Sequence, residues 1–173
     1  MRLQSLFLIG PMGAGKTTVG KQLAEHYRME FIDSDHEIQR RTGVDIPTIF
    51  EIEGESGFRQ REHTVIDELT FREGILLATG GGAVIREDNR KSLSARGLVI
   101  YLHCSVQQQF ERTQRDKNRP LLSTSDPMKK LTTLMAERDP LYRQTADILV
   151  TTEGRNTQSV IQDIRKQIEK LGQ

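Results

Sequence analysis

The chain predicts an α/β fold, a three-layer α/β/α sandwich built on a five-stranded parallel sheet. Two observations carry that reading. Short unbroken apolar runs alternate with helix-period segments along the whole chain, and runs without polar alternation suit strands covered on both faces. Glycine-rich and acidic segments follow several of the runs, where such a sheet gathers ligands at the carboxyl ends of its strands. At 173 residues the length fits one domain with a sizeable core.

Taken in order, Leu6–Ile9 is the first strand. Gly10–Thr18 then opens a helix through about Tyr27, with Val19, Leu23 and His26 or Tyr27 on one face. Met29–Ile32 is a short second strand ending at Asp33. Ser34 is placed to cap a helix starting near Asp35, with Glu37 at capping-box spacing and Gly43 as its stop. A short helix is expected over Thr48–Glu53 after Pro47, then a polar helix over 56–71 with Val65, Ile66 and Leu69 inward. Ile75–Thr79 is the third strand and runs into Gly80-Gly81-Gly82. A helix near Glu87–Ala95 leads to the strand Gly97–Leu102, and Ser105 caps a helix over Val106–Gln114. Arg115–Asp126 lacks periodicity and reads as a mobile loop. Pro127–Tyr142 returns to helix, Ile148–Val150 is the fifth strand, and Val160, Ile161, Ile164, Ile168 and Leu171 give the last helix its core face.

Composition narrows the function classes. Charged residues make up 28% with a formal net charge of +1, so nothing points to a polyanion or a membrane surface as partner. No apolar run approaches the ~20 residues that span a bilayer, and no signal-peptide pattern opens the chain, which together read as cytoplasmic. The single cysteine, Cys104, excludes an intramolecular disulfide. It follows His103, yet no second cysteine or acid lies at ligand spacing, so packing is the expected role.

Gly10–Thr18 fits the phosphate-binding pattern G-x-x-x-x-G-K-[ST]. Glycines let the backbone wrap an anion, the N–H groups and helix dipole face it, Lys16 reaches the β- and γ-phosphates, and the Thr17 hydroxyl serves Mg²⁺. The guanine motif of GTP switches and the apolar run into Asp of motor ATPases are both missing. Asp33 is the nearest acid for Mg²⁺ through water, although an acid there also suits a turn or cap. Asp35, two residues on, shares Asp33's side if the chain is still extended, where it would grip a hydroxyl and accept its proton. A plain helix-start acid is the competing reading of Asp35. Among Arg59, Arg119 and Arg138, two beside the triple glycine could clamp a carboxylate, while Arg119 on its loop could swing over the phosphates.

Together these segments resemble the shikimate kinase family, nucleoside-monophosphate-kinase-like enzymes of the P-loop kinase type, along nearly the whole chain. The family's phosphate loop matches Gly10–Thr18, its D-x-D matches Asp33-Ser34-Asp35, and its F-R-x-x-E matches Phe58-Arg59-Gln60-Arg61-Glu62. Its triple glycine matches Gly80–Gly82, its lid R-P-L matches Arg119-Pro120-Leu121, and its R-x-P-x-Y matches Arg138–Tyr142. The resemblance implies transfer of the ATP γ-phosphate to the 3-hydroxyl of shikimate, in aromatic amino acid biosynthesis. It implies that Gly13, Ala14, Gly15, Lys16, Thr17 and Thr18 bind the ATP phosphates, and that Thr17 and Asp33 serve one Mg²⁺. Asp35 would hold the 3-hydroxyl as base, with Lys16 and Arg119 as its catalytic companions. Arg59 and Arg138 would clamp the carboxylate, Gly81 and Gly82 would touch the ring, and Arg112 and Arg155 would lie near adenine. The implied organisation is a substrate-binding segment at 34–62, a mobile lid at 113–125 and a nucleotide-binding core, working as a monomer without nucleic acid or membrane.

The main rival is a gluconate kinase of the same architecture, against which the arginine clamp beside a D-x-D argues. A nucleotide-dependent binding module that has lost catalysis is the other, and it would have no need of Asp35 and Arg119.

Overall fold

A computed structural model describes residues 4–114 and 124–172. Arg119 and most of the expected lid therefore lie outside the described residues. Five strands form one sheet: β1 (Leu6–Ile9), β2 (Glu30–Asp33), β3 (Ile75–Ala78), β4 (Leu98–His103) and β5 (Ile148–Thr151). All pairings are parallel, in the order β2-β3-β1-β4-β5. Strand order reverses at the central β1, and the crevice beyond its carboxyl end is where such a sheet opens to ligands.

Seven helices accompany the sheet among the described residues: α1 (Lys16–Tyr27), α2 (Ser34–Thr42), α3 (Ile46–Thr70), α4 (Glu87–Arg96), α5 (Val106–Thr113), α6 (Pro127–Thr145) and α7 (Thr157–Leu171), with a short 3₁₀ turn at Ala83–Ile85. Period 2 divides the sheet between two cores. Leu6, Leu8, Leu76, Ile100 and Leu102 pack with Val19 and Leu23 of α1 and Ile161 and Ile164 of α7. Phe7, Ile9, Leu77, Val99 and Tyr101 face the other way, onto Val65, Ile66 and Leu69 of α3, Leu93 of α4 and Tyr142 of α6. The three-layer expectation holds, and no helix among the described residues is long and apolar enough to cross a membrane.

Several local expectations needed correction. The N-cap of α2 is Asp33, whose Oδ1 accepts from the His36 N–H at 3.1 Å, and not Ser34. The Ser34 hydroxyl is taken by the Gly80 N–H at 3.0 Å, a contact from the end of β3. Glu37 closes no capping box; Arg40 and then Arg41 hold its carboxyl well below the usual range, at about 2. The helix expected from Thr48 starts at Ile46, because Asp45 accepts from the Thr48 N–H at 2.9 Å and Pro47 suits the first turn. Its expected gap before residue 56 shrinks to one non-helical residue, Gly54, at φ 73° and ψ −179°. Leu171 is 57% exposed rather than in the core, because α7 ends there, past its last buried residue, Ile168. Cys104 is packed in the first core, as expected, and burial pushes its thiol up to about 11.

Candidate active site

The turn after β1 sets the site's floor. Gly10 has φ 148°, and a Cβ there would lie 2.4 Å from the Leu102 carbonyl oxygen, so both conformation and space demand glycine. Gly15 caps α1 in the left-handed region, which turns the first N–H groups of α1 outward. The Lys16 ammonium arches back over the loop and donates to the Gly10 and Pro11 carbonyls at 2.6 and 2.8 Å. A cavity of about 420 Å³ opens above, lined by Gly13–Thr18 together with Asp33, Asp35, Gly81, Arg112 and Arg155. Convergence of these positions on one rim follows from the parallel sheet.

The acids reach the rim differently from the sequence expectation. Asp33 ends β2, and its Oδ2 accepts from the Thr17 hydroxyl at 3.4 Å while Oδ1 caps α2. Asp33 thus serves as a cap and also stands beside the loop threonine. Asp35 is not on extended chain: it sits in the first turn of α2, so the period-2 premise fails. The helix nonetheless carries its carboxylate over the triple glycine, with Oδ1 2.7 Å from where a Gly80 Cβ would be.

Arg59 and Arg138 meet across that glycine turn from opposite elements, α3 and α6. The Arg59 guanidinium occupies the space a Gly82 side chain would fill, while Arg138 Nη1 lies 3.5 Å from the corresponding Gly81 position. Arg138 is only 4% exposed, and both Nε atoms are buried without hydrogen-bond partners. Buried donors of this kind are rare unless a ligand completes them. Tyr142, one helical turn beyond Arg138, donates to the Gly81 carbonyl and fixes the turn against α6.

Arg112 and Arg155 are held on the opposite side of the loop. Arg112 donates to the Gly13 carbonyl at 3.0 Å. Gln108, its amide oxygen turned toward Arg112, links that guanidinium to Glu153. Arg155 is braced by Asp163 at 2.9 Å and by Ser159. Arg119 lies outside the described residues.

The structure adds Glu62 to the site, a residue whose motif alone gives it no role. Glu62 is 0% exposed, and its Oε1 accepts from Arg59 Nη1 at 2.9 Å. Burial pushes its carboxyl up to about 7 despite the opposing pull of Arg59, and repulsion from Asp35 adds to the rise. The signal was available: Phe58, Glu62, Val65, Ile66 and Leu69 share one helical stripe, so an acid falls on a core face.

A family model described as shikimate kinase matches residues 12–169. The chain is 57% identical to the shikimate kinase of Methylococcus capsulatus, across 98% of this chain and 94% of that one. It is 58% identical to the shikimate kinase of Halorhodospira halophila, across 92% and 90%. The solved structure of shikimate kinase from Acinetobacter baumannii in complex with shikimate superposes with a TM-score of 0.95 at 52% identity, covering 97% of this chain and 94% of that one.

Proposed function

The chain belongs to the shikimate kinase family, and from that premise we propose that it transfers the γ-phosphate of ATP to the 3-hydroxyl of shikimate. The products are shikimate 3-phosphate and ADP, on the route to aromatic amino acids. One observation carries the substrate half of this reading: Arg59 and Arg138 converge on Gly81–Gly82 with buried, uncompleted donors, beside an acid that faces the phosphate cavity. A carboxylate fits the two guanidinium groups, and a ring hydroxyl then falls to Asp35.

In this mechanism the N–H groups of Gly13–Thr18 and Lys16 hold the phosphates, as a glycine loop on a helix N-terminus does. Asp35 keeps the 3-hydroxyl aimed at the γ-phosphorus and accepts its proton; in a loose transition state the aiming contributes most. Thr17 and Asp33 would offer two oxygen donors to Mg²⁺. That suits an ion held chiefly by phosphate and water. Mg²⁺ bound with ATP supplies charge neutralisation on the β- and γ-phosphates. Arg112 and Arg155 flank the adenine; Arg119 and most of the proposed lid at 113–125 lie outside the described residues. Residues 34–62 form the substrate-binding segment, and the protein works as a cytoplasmic monomer.

A coupled ADP-release assay with shikimate, gluconate and nucleoside monophosphates side by side tests this reading. Turnover is expected with shikimate alone. Equal or faster turnover with gluconate would overturn it.

A further inference from the structure

Among the described residues only two charged side chains are buried, Arg138 and Glu62. Arg138 belongs to the clamp already described, whereas Glu62 has no part in it beyond the bond to Arg59. A buried carboxylate needs a reason, because desolvation strongly disfavours its charged form. Its Oε1 has the Arg59 guanidinium, and its Oε2 is buried without a hydrogen-bond partner.

We infer that Glu62 is a proton-accepting positioning residue, which takes up a proton from solvent when the substrate carboxylate docks between Arg59 and Arg138. This rests on the shikimate reading above. The charges that face Glu62 come from every element around it. Arg59, itself paired with Glu55, lies on the same helix; Asp35 comes from α2, Arg138 and Tyr142 from α6, and Arg86 from beyond the 3₁₀ turn. Two cations of the clamp therefore stand against two acids, Glu62 and Asp35. A docked carboxylate draws on both guanidinium groups, weakening the attraction that keeps Glu62 ionised, and adds a negative charge beside it.

Among the described residues, Glu62 is placed to relieve that excess. Glu62 Oε2 lies 3.0 Å, and Asp35 Oδ1 2.7 Å, from the point a Gly80 Cβ would occupy, so the two carboxylates crowd one glycine. Protonating Glu62 at Oε2 removes their mutual repulsion and leaves Oε1 as an acceptor for Arg59. The clamp keeps its geometry while its charge changes. The proton comes from the buffer, and no bond of the substrate breaks. Since Glu62 already titrates near neutrality before substrate arrives, a modest further rise is enough for net uptake.

The test is calorimetry of shikimate binding, without nucleotide, in buffers of differing ionisation enthalpy near neutral to mildly alkaline pH. Uptake of roughly half a proton or more per shikimate is expected, with affinity falling about threefold or more per pH unit between the free-state and bound-state titrations. Glu62→Gln should bind shikimate with no uptake and a flat pH dependence, while Asp35→Asn should retain the uptake. Zero uptake or proton release in the wild type, or unchanged uptake in Glu62→Gln, would overturn the inference. Should Glu62→Gln not fold, infrared difference spectra of the wild type with and without shikimate decide instead. A protonated-carboxyl band must appear on binding, and its absence rejects the proposal. No binding of shikimate to the wild type is a separate result, which rejects the substrate reading itself.

Discussion

The two halves of the cavity are made from different material. On the phosphate side, one contiguous stretch, Gly13–Thr18, with Lys16 as its one charged side chain, lines the cavity above a turn whose Gly10 has no room for a side chain. On the side proposed to take the substrate carboxylate, the machinery is side chains: Asp35 and then Arg59 and Glu62 from the consecutive helices α2 and α3, and Arg138 from the distant α6. Backbone donors are fixed by the fold and carry no charge to be desolvated. Side-chain charges must be buried, paired and aimed by packing. The first half should therefore fail by losing structure, and the second by losing chemistry with the structure intact.

The sharpest way to separate the halves is Asp35→Asn. It should lower turnover by about 10²–10⁴-fold while ATP still binds, and near-normal turnover in a steady-state assay would remove Asp35 from the proton path. Next come Arg59→Ala and Arg138→Ala. Each should weaken shikimate by about 1.5–3 kcal/mol, the scale of a charged hydrogen bond, and leave ATP affinity nearly unchanged. Equal loss of both ligands in calorimetry would mean that the two halves are one structural unit after all. On the backbone side, Gly10→Ala should lose on the order of 1–3 kcal/mol of stability, because it brings a strained φ and a clash with the Leu102 carbonyl. A melting temperature equal to wild type would contradict the demand for glycine. Arg112→Ala should have the smallest effect, about 0.5–1.5 kcal/mol on ATP affinity for one hydrogen bond to the loop, with shikimate unaffected.

The same contrast explains how much could be read from the chain. The phosphate loop is contiguous, and its strand-loop-helix setting is written locally, so Gly10–Lys16 and the sheet were legible from pattern alone. Asp35 was placed on the right rim for the wrong local reason, since helix α2 rather than extended chain carries it there. The cap of α2 was misplaced because Ser34 is engaged by Gly80, a partner 46 residues away that local rules cannot supply. Glu62 was quoted within a motif yet given no task. Its burial depends on α3 lying against the second core, and only the stripe from Phe58 to Leu69 hinted at that. Charge networks drawn from several elements are tertiary facts, and sequence spacing shows their members without their partners.

The lone thiol has a practical consequence. Cys104 directly follows β4, is buried, and has its ionisation pushed up to about 11, so the folded protein offers almost no reactive thiolate at neutral pH. Labelling by a thiol reagent must then wait for the first core to open where Cys104 packs with Ala14 of the loop. With no second cysteine to confuse the signal, the labelling rate becomes a clock for that opening. A nucleotide that binds only the closed form should slow the clock in proportion to its occupancy. The protein thus carries its own reporter of breathing at the nucleotide floor.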